Sequence, residues 1–251
     1  MIGTMRKLKR FFDKESGQAV VFALDHGAGQ GLVPGLEDAA ELVENLGGKR
    51  VQGVVLNRGM ARALGADLDP RVNLIVSLSA GTRHGVPAYN KTLVCSTSEA
   101  MRLGADAVAV QVNIGNDLED RMLADFGAVV DDSHAHGMPV AAVIRPRGEL
   151  IVNESDKSLI AHAVTLGGEL SADMVVTPYS GESESFGRAC AYCPAPVFVT
   201  GGPTVKNFND FLKTAREALD AGAAGIWAGR NLFQHKMPLM ALDKLIHLVH
   251  G

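Results

Sequence analysis

Eight short apolar runs recur along the chain, most of them four to six residues long and rich in β-branched side chains. They are Ala19–Leu24, Gly53–Leu56, Leu74–Leu78, Ala107–Val112, Val140–Ile144, Met174–Thr177, Val197–Thr200 and Gly225–Ala228. Their nearly unbroken hydrophobicity, without alternation, predicts parallel strands covered on both faces. The stretches between most of them carry helical spacing. In Leu36–Leu46 apolar residues fall three and four apart, with Glu37, Asp38, Glu41 and Glu44 on the other side, and Ser158–Leu170 and Phe208–Ala221 read likewise. A weak repeat links the two kinds of element: Leu103-Gly-Ala-Asp-Ala-Val108, Leu170-Ser-Ala-Asp-Met-Val175 and Ala221-Gly-Ala-Ala-Gly-Ile226 each end a helix in small residues and drop into a buried strand. His136-Gly-Met-Pro-Val140 and Cys193-Pro-Ala-Pro-Val197 are a second form of that entry. Strands alternating with helices, with no linker-like segment, predict an α/β chain folded over residues 1–251 as one (β/α)8 TIM-barrel domain. The competing fold is a doubly wound open sheet, but no Gly-x-Gly-x-x-Gly follows the first strand.

Composition narrows the function classes. Twenty-four basic and 28 acidic residues are spread without runs, and aromatic residues make up 5%. That balance lacks the basic stripe and stacking platforms of a nucleic-acid binder. No apolar stretch reaches the ~18 residues a membrane span needs. The basic start, Met1 to Arg10, leads into Phe11-Phe12-Asp13-Lys14-Glu15, too short and charged for a secretory leader. Three cysteines, Cys95, Cys190 and Cys193, without framework spacing fit a reducing cytoplasm. Cys190-x-x-Cys193 has no second pair and reads as a loop coincidence rather than a zinc half-site.

In a barrel, chemistry sits just past the C-terminal ends of the strands. The seventh and eighth predicted strands end in Thr200-Gly201-Gly202-Pro203 and Ala228-Gly229-Arg230-Asn231. Glycines there let backbone N–H groups approach an anion, a helix N-terminus adds positive potential, and Arg230 adds charge-assisted hydrogen bonds. Plain turn-making is the competing account of Gly201, Gly202 and Gly229. The first strand ends in Asp25-His26-Gly27. Asp25 suits proton transfer or a substrate hydroxyl, with capping as its alternative, and His26 either faces the site or packs beneath a loop. The fifth strand ends in Arg145-Pro146-Arg147, two cations suited to a second anionic group or an enolate oxygen unless they form surface ion pairs.

Several of these segments resemble the archaeal-type class I fructose-bisphosphate aldolases and their relatives, the aminodideoxyheptulosonate synthases. The resemblance rests on Phe22-Ala-Leu-Asp-His-Gly27, Ala105-Asp-Ala-Val-Ala-Val-Gln-Val-Asn-Ile-Gly115, Pro146-Arg-Gly148, Ala161-His-Ala163, Cys193-Pro-Ala-Pro-Val197, Gly201-Gly-Pro203 and Ala228-Gly-Arg-Asn-Leu-Phe-Gln-His235. These run in order from about Arg10 to His250. The resemblance implies a barrel, a homo-oligomer, phosphate held by the last two glycine loops, and Asp25 assisting proton transfer. It also marks two departures. Ala172-Asp-Met-Val-Val-Thr177 replaces the family's Ala-Asp-Ile-Val-Lys-Thr, so Val176 stands where the Schiff-base lysine belongs. Arg145 stands where the family has a proton-shuttling tyrosine.

A hydrocarbon side chain forms no imine, and an arginine that stays protonated is a poor general acid. Of the ten lysines, Lys91 is expected at the wrong end of a strand, and only Lys206 is expected to approach the pocket, on an exposed loop. The expectation is therefore an aldolase-type lyase or synthase acting on a phosphorylated ketose without an imine. Asp25, His26 and Arg145 are its catalytic candidates, and Arg147, Gly201, Gly202, Gly229 and Arg230 its substrate-binding ones. No cofactor is expected. Metal catalysis through His26, His84 and Asp25 lacks diagnostic ligand spacing. Two alternatives stand beside this reading: an isomerase, dehydratase or cyclase on a similar substrate, and a phosphate-binding pseudoenzyme.

Overall fold

The computed structural model describes residues 2–251. Ten strands form: β1 (Ala19–Ala23), β2 (Gly53–Asn57), β3 (Asn73–Ser77), β4 (Ser79–Ala80), β5 (Thr92–Leu93), β6 (Ala107–Ile114), β7 (Val140–Pro146), β8 (Met174–Thr177), β9 (Val197–Thr200) and β10 (Gly225–Ala228). Eight of them close into a parallel barrel in the ring order β1-β10-β9-β8-β7-β6-β3-β2. This is the predicted TIM barrel, and its eight strands coincide with the eight apolar runs to within about two residues. The helical stretches are found at Ala39–Glu44, Lys157–Glu169 and Phe208–Asp220.

Strand periodicity divides the core into two layers. Val20, Phe22 and Leu24 point outward and join the layer between sheet and helices. Ala19, Val21 and Ala23 point inward, packing with Val55, Ile75, Met174, Val176, Phe198 and Trp227. The lower barrel is closed by Phe11 and Phe12 from the N-terminal segment. Phe12 lies 5.9 Å from Phe198, and Phe198 lies edge-on to Trp227 at 6.1 Å between ring centroids. This end of the barrel is filled by apolar and aromatic side chains.

A small hairpin absent from the sequence pattern interrupts the βα rhythm. β4 continues upward from β3, and β5 returns antiparallel to it, pairing Ser79 with Leu93 and Ala80 with Thr92. Ser79 Oγ accepts the Gln111 N–H at 2.8 Å, and the Tyr89 hydroxyl donates to Asp117 at 2.8 Å, tying the hairpin to the wall beside it. No helix among the described residues is long and apolar enough to cross a membrane.

Candidate active site

A cavity of about 200 Å³ opens at the C-terminal end of the barrel. All eight candidate residues named from the sequence line it: Asp25, His26, Arg145, Arg147, Gly201, Gly202, Gly229 and Arg230. Ala23, Val143 and Trp227 contribute apolar surface beside them.

The β9 and β10 ends form one wall. Gly202 sits at φ +67°, a conformation that favours glycine. A Cβ on Gly229 would lie 2.4 Å from His26 Cε1 and 2.6 Å from the Ala23 carbonyl oxygen, so only glycine fits against β1. Arg230 opens a single helical turn, Arg230–Phe233, and donates to the Gly202 carbonyl at 3.1 Å. Burial and the nearby Arg147 charge favour its neutral form. Asn231, which sequence reasoning passed over, locks the wall: Nδ2 donates to the carbonyls of Gly201 (2.6 Å) and Pro203 (3.0 Å), and Oδ1 accepts the Val205 N–H (2.9 Å). The Gly201 N–H is already engaged by the Trp227 carbonyl at 3.1 Å. An anion on this wall therefore has to be met by neighbouring groups rather than by that amide.

Asp25 and His26 sit on the turn after β1. Asn57 Nδ2 donates to the Asp25 carbonyl at 2.7 Å, which anchors the turn to β2. His26 packs edge-on against Phe233 at 5.3 Å between centroids, and its buried Nδ1 lies 3.7 Å from Asp25 Oδ1, beyond hydrogen-bond reach. Burial holds the imidazole below its usual pKa, with Asp25 opposing and Arg230 and Arg145 reinforcing the shift. His26 thus meets both readings left open by the sequence: it borders the cavity and packs beneath the β10 loop.

Arg145, paired in register with Asn113, projects from the end of β7. Its Nε is fully enclosed and has no acceptor among the described residues. Burial lowers its pKa, partly offset by Asp25. Buried donors are nearly always paired, so an open donor in a cavity wall marks a place for a ligand oxygen. Arg147 is exposed at the rim, 3.5 Å from Glu154. Val176 is fully buried in the barrel interior, in register between Val143 of β7 and Phe198 of β9.

The lysine expectation is corrected. Lys206 is exposed and does not line the cavity, whereas Lys91 does. The reason is the β4–β5 hairpin. Lys91 immediately precedes β5, and because β5 runs back down the barrel, its first residue lies at the mouth. Arg83, also on this excursion, lines the cavity too. Gln111 also lines the cavity and donates to Asn113 Oδ1 at 2.9 Å; the pair was not singled out, although polar residues two apart inside an apolar strand mark one face. Nothing comparable in the sequence betrayed Lys91.

Among the described residues no three His, Cys, Asp or Glu side chains converge as metal ligands would, and exposed His84 lies outside the cavity. Cys190 and Cys193 are free, away from the barrel mouth, and burial pushes the Cys190 thiol up to about 12.

A closed parallel barrel with a cation-lined mouth and a glycine wall defines a TIM-barrel protein with a cationic cavity at the C-terminal ends of its strands. The DeoC/LacD family aldolase model matches residues 19–235, and the chain belongs to that family. It is 36% identical over 245 residues to the 2-amino-4,5-dihydroxy-6-oxo-7-(phosphonooxy)heptanoate synthase of Streptomyces griseus, covering 98% of this chain and 89% of that protein. It is 34% identical to the 2-amino-3,7-dideoxy-D-threo-hept-6-ulosonate synthase 1 of Archaeoglobus fulgidus, covering 100% and 92%. Among solved structures it resembles an archaeal fructose 1,6-bisphosphate aldolase with a TM-score of 0.88 and 32% identity, covering 99% of both chains. A second archaeal fructose-1,6-bisphosphate aldolase, solved with its catalytic lysine covalently bound to a carbinolamine intermediate, superposes with a TM-score of 0.84 and 30% identity, covering 99% of this chain and 100% of that one.

Proposed function

We propose that this protein is an aldolase-type lyase or synthase that makes or breaks a carbon–carbon bond in a phosphorylated ketose. The observation that carries the reading is the charge of the cavity wall: Arg83, Lys91, Arg145, Arg147 and Arg230 line it with Asp25 as the single carboxylate. Such a wall suits a substrate bearing more than one negative charge. Arg230 and the glycine wall take the phosphate, and Arg147 at the rim takes a second anionic group. The family, and the synthases and aldolases it resembles, support the same reaction class.

No imine forms at position 176, so the reaction leans on electrostatics there. The ketone oxygen gains negative charge as the carbon–carbon bond breaks, and the open Nε donor of Arg145 is available to it. A preorganised donor of this kind contributes about 3–4 kcal/mol. Asp25 carries the proton between the substrate hydroxyl and solvent, with His26 fixing the turn that presents it.

The test is proton exchange at the carbon next to the carbonyl. Dihydroxyacetone phosphate in D2O is expected to exchange its C3 proton in the presence of the protein, and fructose 1,6-bisphosphate to release triose phosphates. Exchange with rearrangement and no cleavage would move the protein to the isomerases or dehydratases. Tight binding without exchange would leave a phosphate-binding protein.

A further inference from the structure

We propose that Lys91 is the amine through which this chain attaches covalently to its ketone substrate, doing from the β4–β5 hairpin what the strand position at Val176 cannot. The inference rests on the aldol reading above and replaces one step of it: Arg145 faces the ketone oxygen while the carbinolamine forms, and the iminium, not that oxygen, takes the electrons of the breaking carbon–carbon bond.

Lys91 is the one lysine among the residues lining the cavity, and it shares that lining with Asp25 and Arg145. Its placement is enforced by backbone packing. A Cβ on Gly81 would lie 2.0 Å from the Asn90 carbonyl oxygen, so glycine alone lets the returning strand lie close enough to bring Lys91 over the mouth. The side chain is half-buried, and Nζ donates to the Gly81 carbonyl at 3.3 Å. No carboxylate among the described residues lies within the 4.0 Å of a salt bridge to it. An ammonium in that position has one neutral acceptor and two arginines for company. Burial chiefly, then the Arg145 and Arg147 charges, favour the free amine, with Asp25 opposing them. Desolvation beside another cation is one of the ways a lysine becomes nucleophilic near neutral pH.

The chemistry balances with the groups present. The Nζ lone pair attacks the ketone carbon, and the carbonyl π pair moves onto oxygen, where Arg145 faces the charge. The nitrogen proton passes through Asp25 to that oxygen, giving a carbinolamine. One further proton from solvent, delivered by the same carboxyl, lets the hydroxyl leave as water and the iminium form. As the iminium accepts the electron pair of the breaking carbon–carbon bond, Asp25, now a carboxylate, takes the hydroxyl proton of the departing carbon, which leaves as an aldehyde. The carboxyl returns that proton to the enamine carbon, and water then adds to the restored iminium and frees Nζ as the ketone re-forms.

The full chain is incubated with dihydroxyacetone phosphate and sodium borohydride, digested, and mapped by peptide mass. A reduced adduct concentrated on the Lys91 peptide is expected, suppressed by excess inorganic phosphate and missing in Lys91→Arg. That variant keeps the cation and is expected to hold phosphate within about threefold of wild type while losing proton exchange at least 100-fold. No adduct in wild type, or labelling scattered over surface lysines, overturns the proposal, as does full proton exchange in Lys91→Arg. The wild-type map decides even if the variant misfolds. Failure of the aldol reading looks different: Lys91 is still trapped, but no exchange and no cleavage occur, which upholds the amine and removes only the reaction.

Discussion

The two walls of the cavity are built by different means. The β9–β10 wall is made largely of backbone, with Gly202 at a positive φ, Gly229 pressed against β1, and Asn231 fastening three backbone groups. The wall facing it is made of long side chains, Lys91 from the hairpin, Arg145 from β7 and Arg147 just beyond it. A backbone wall tolerates almost no other residue types, so it suits a task shared by every substrate of a class, such as gripping a phosphate. A side-chain wall is free to change charge and reach, so it suits the step that distinguishes one reaction from another. Val176 and Arg145, the two positions at which the sequence reading expects departures from the class I pattern, fall outside the backbone wall.

If this division holds, a substitution of Lys91 or Arg145 in the side-chain wall moves turnover and one in the glycine wall moves affinity. The largest effect is expected for Arg145→Met, which keeps the stem and removes the donor. We expect kcat/KM to fall by about 10²–10³-fold, the loss that follows removal of one oxyanion donor. The dissociation constant for inorganic phosphate, measured by calorimetry, should change little. A variant with unaltered kcat but much weaker phosphate binding would place Arg145 in the grip rather than the chemistry.

Arg230→Ala probes the opposite wall. Losing a hydrogen bond to a charged group costs about 1.5–3 kcal/mol, a weakening of about 10- to 150-fold in phosphate-ligand affinity. At saturating substrate the turnover number should stay near wild type. An unchanged affinity would take Arg230 out of the phosphate grip and leave its bond to the Gly202 carbonyl, 3.1 Å long, as its whole role.

The same contrast explains what could be read from the chain alone. All eight barrel strands were visible because parallel strands covered on both faces are apolar throughout, and the glycine loops were visible because few residue types build them. Lys91 was invisible for a physical reason. Its position depends on a reversal spanning eleven residues between two-residue strands, and that reversal is held by a close approach of Gly81 to the Asn90 carbonyl that no local periodicity announces. Asn231 escaped because a buried asparagine after a glycine loop looks like any turn residue until its three partners are known. Val176 could be placed in the strand, but the sequence could not tell whether another amine filled the space above it.

The smallest expected effect joins the glycine wall to stability through His26. Its ring is held between Gly229 and Phe233, where burial favours the neutral imidazole. The unfolded chain binds a proton at this residue near about 6.5, whereas the folded chain resists it until lower pH. The unfolded state therefore binds more protons across that window, and stability rises with pH there. The contribution is complete above about 6.5 and is lost as pH falls toward the folded value. His250, also buried toward its neutral form near Asp13 and Arg50, adds a slope of the same sign, so total stability alone does not isolate His26. Comparing wild type with His26→Gln does: urea midpoints at pH 7.5 and 5.5 should differ less in the variant, because one of the two buried imidazoles is gone. Equal pH dependence in both proteins would mean that His26 titrates as freely when folded as when unfolded. In that case Gly229 serves the approach of the β10 loop to the Ala23 carbonyl alone, and the glycine wall owes nothing to the state of the histidine behind it.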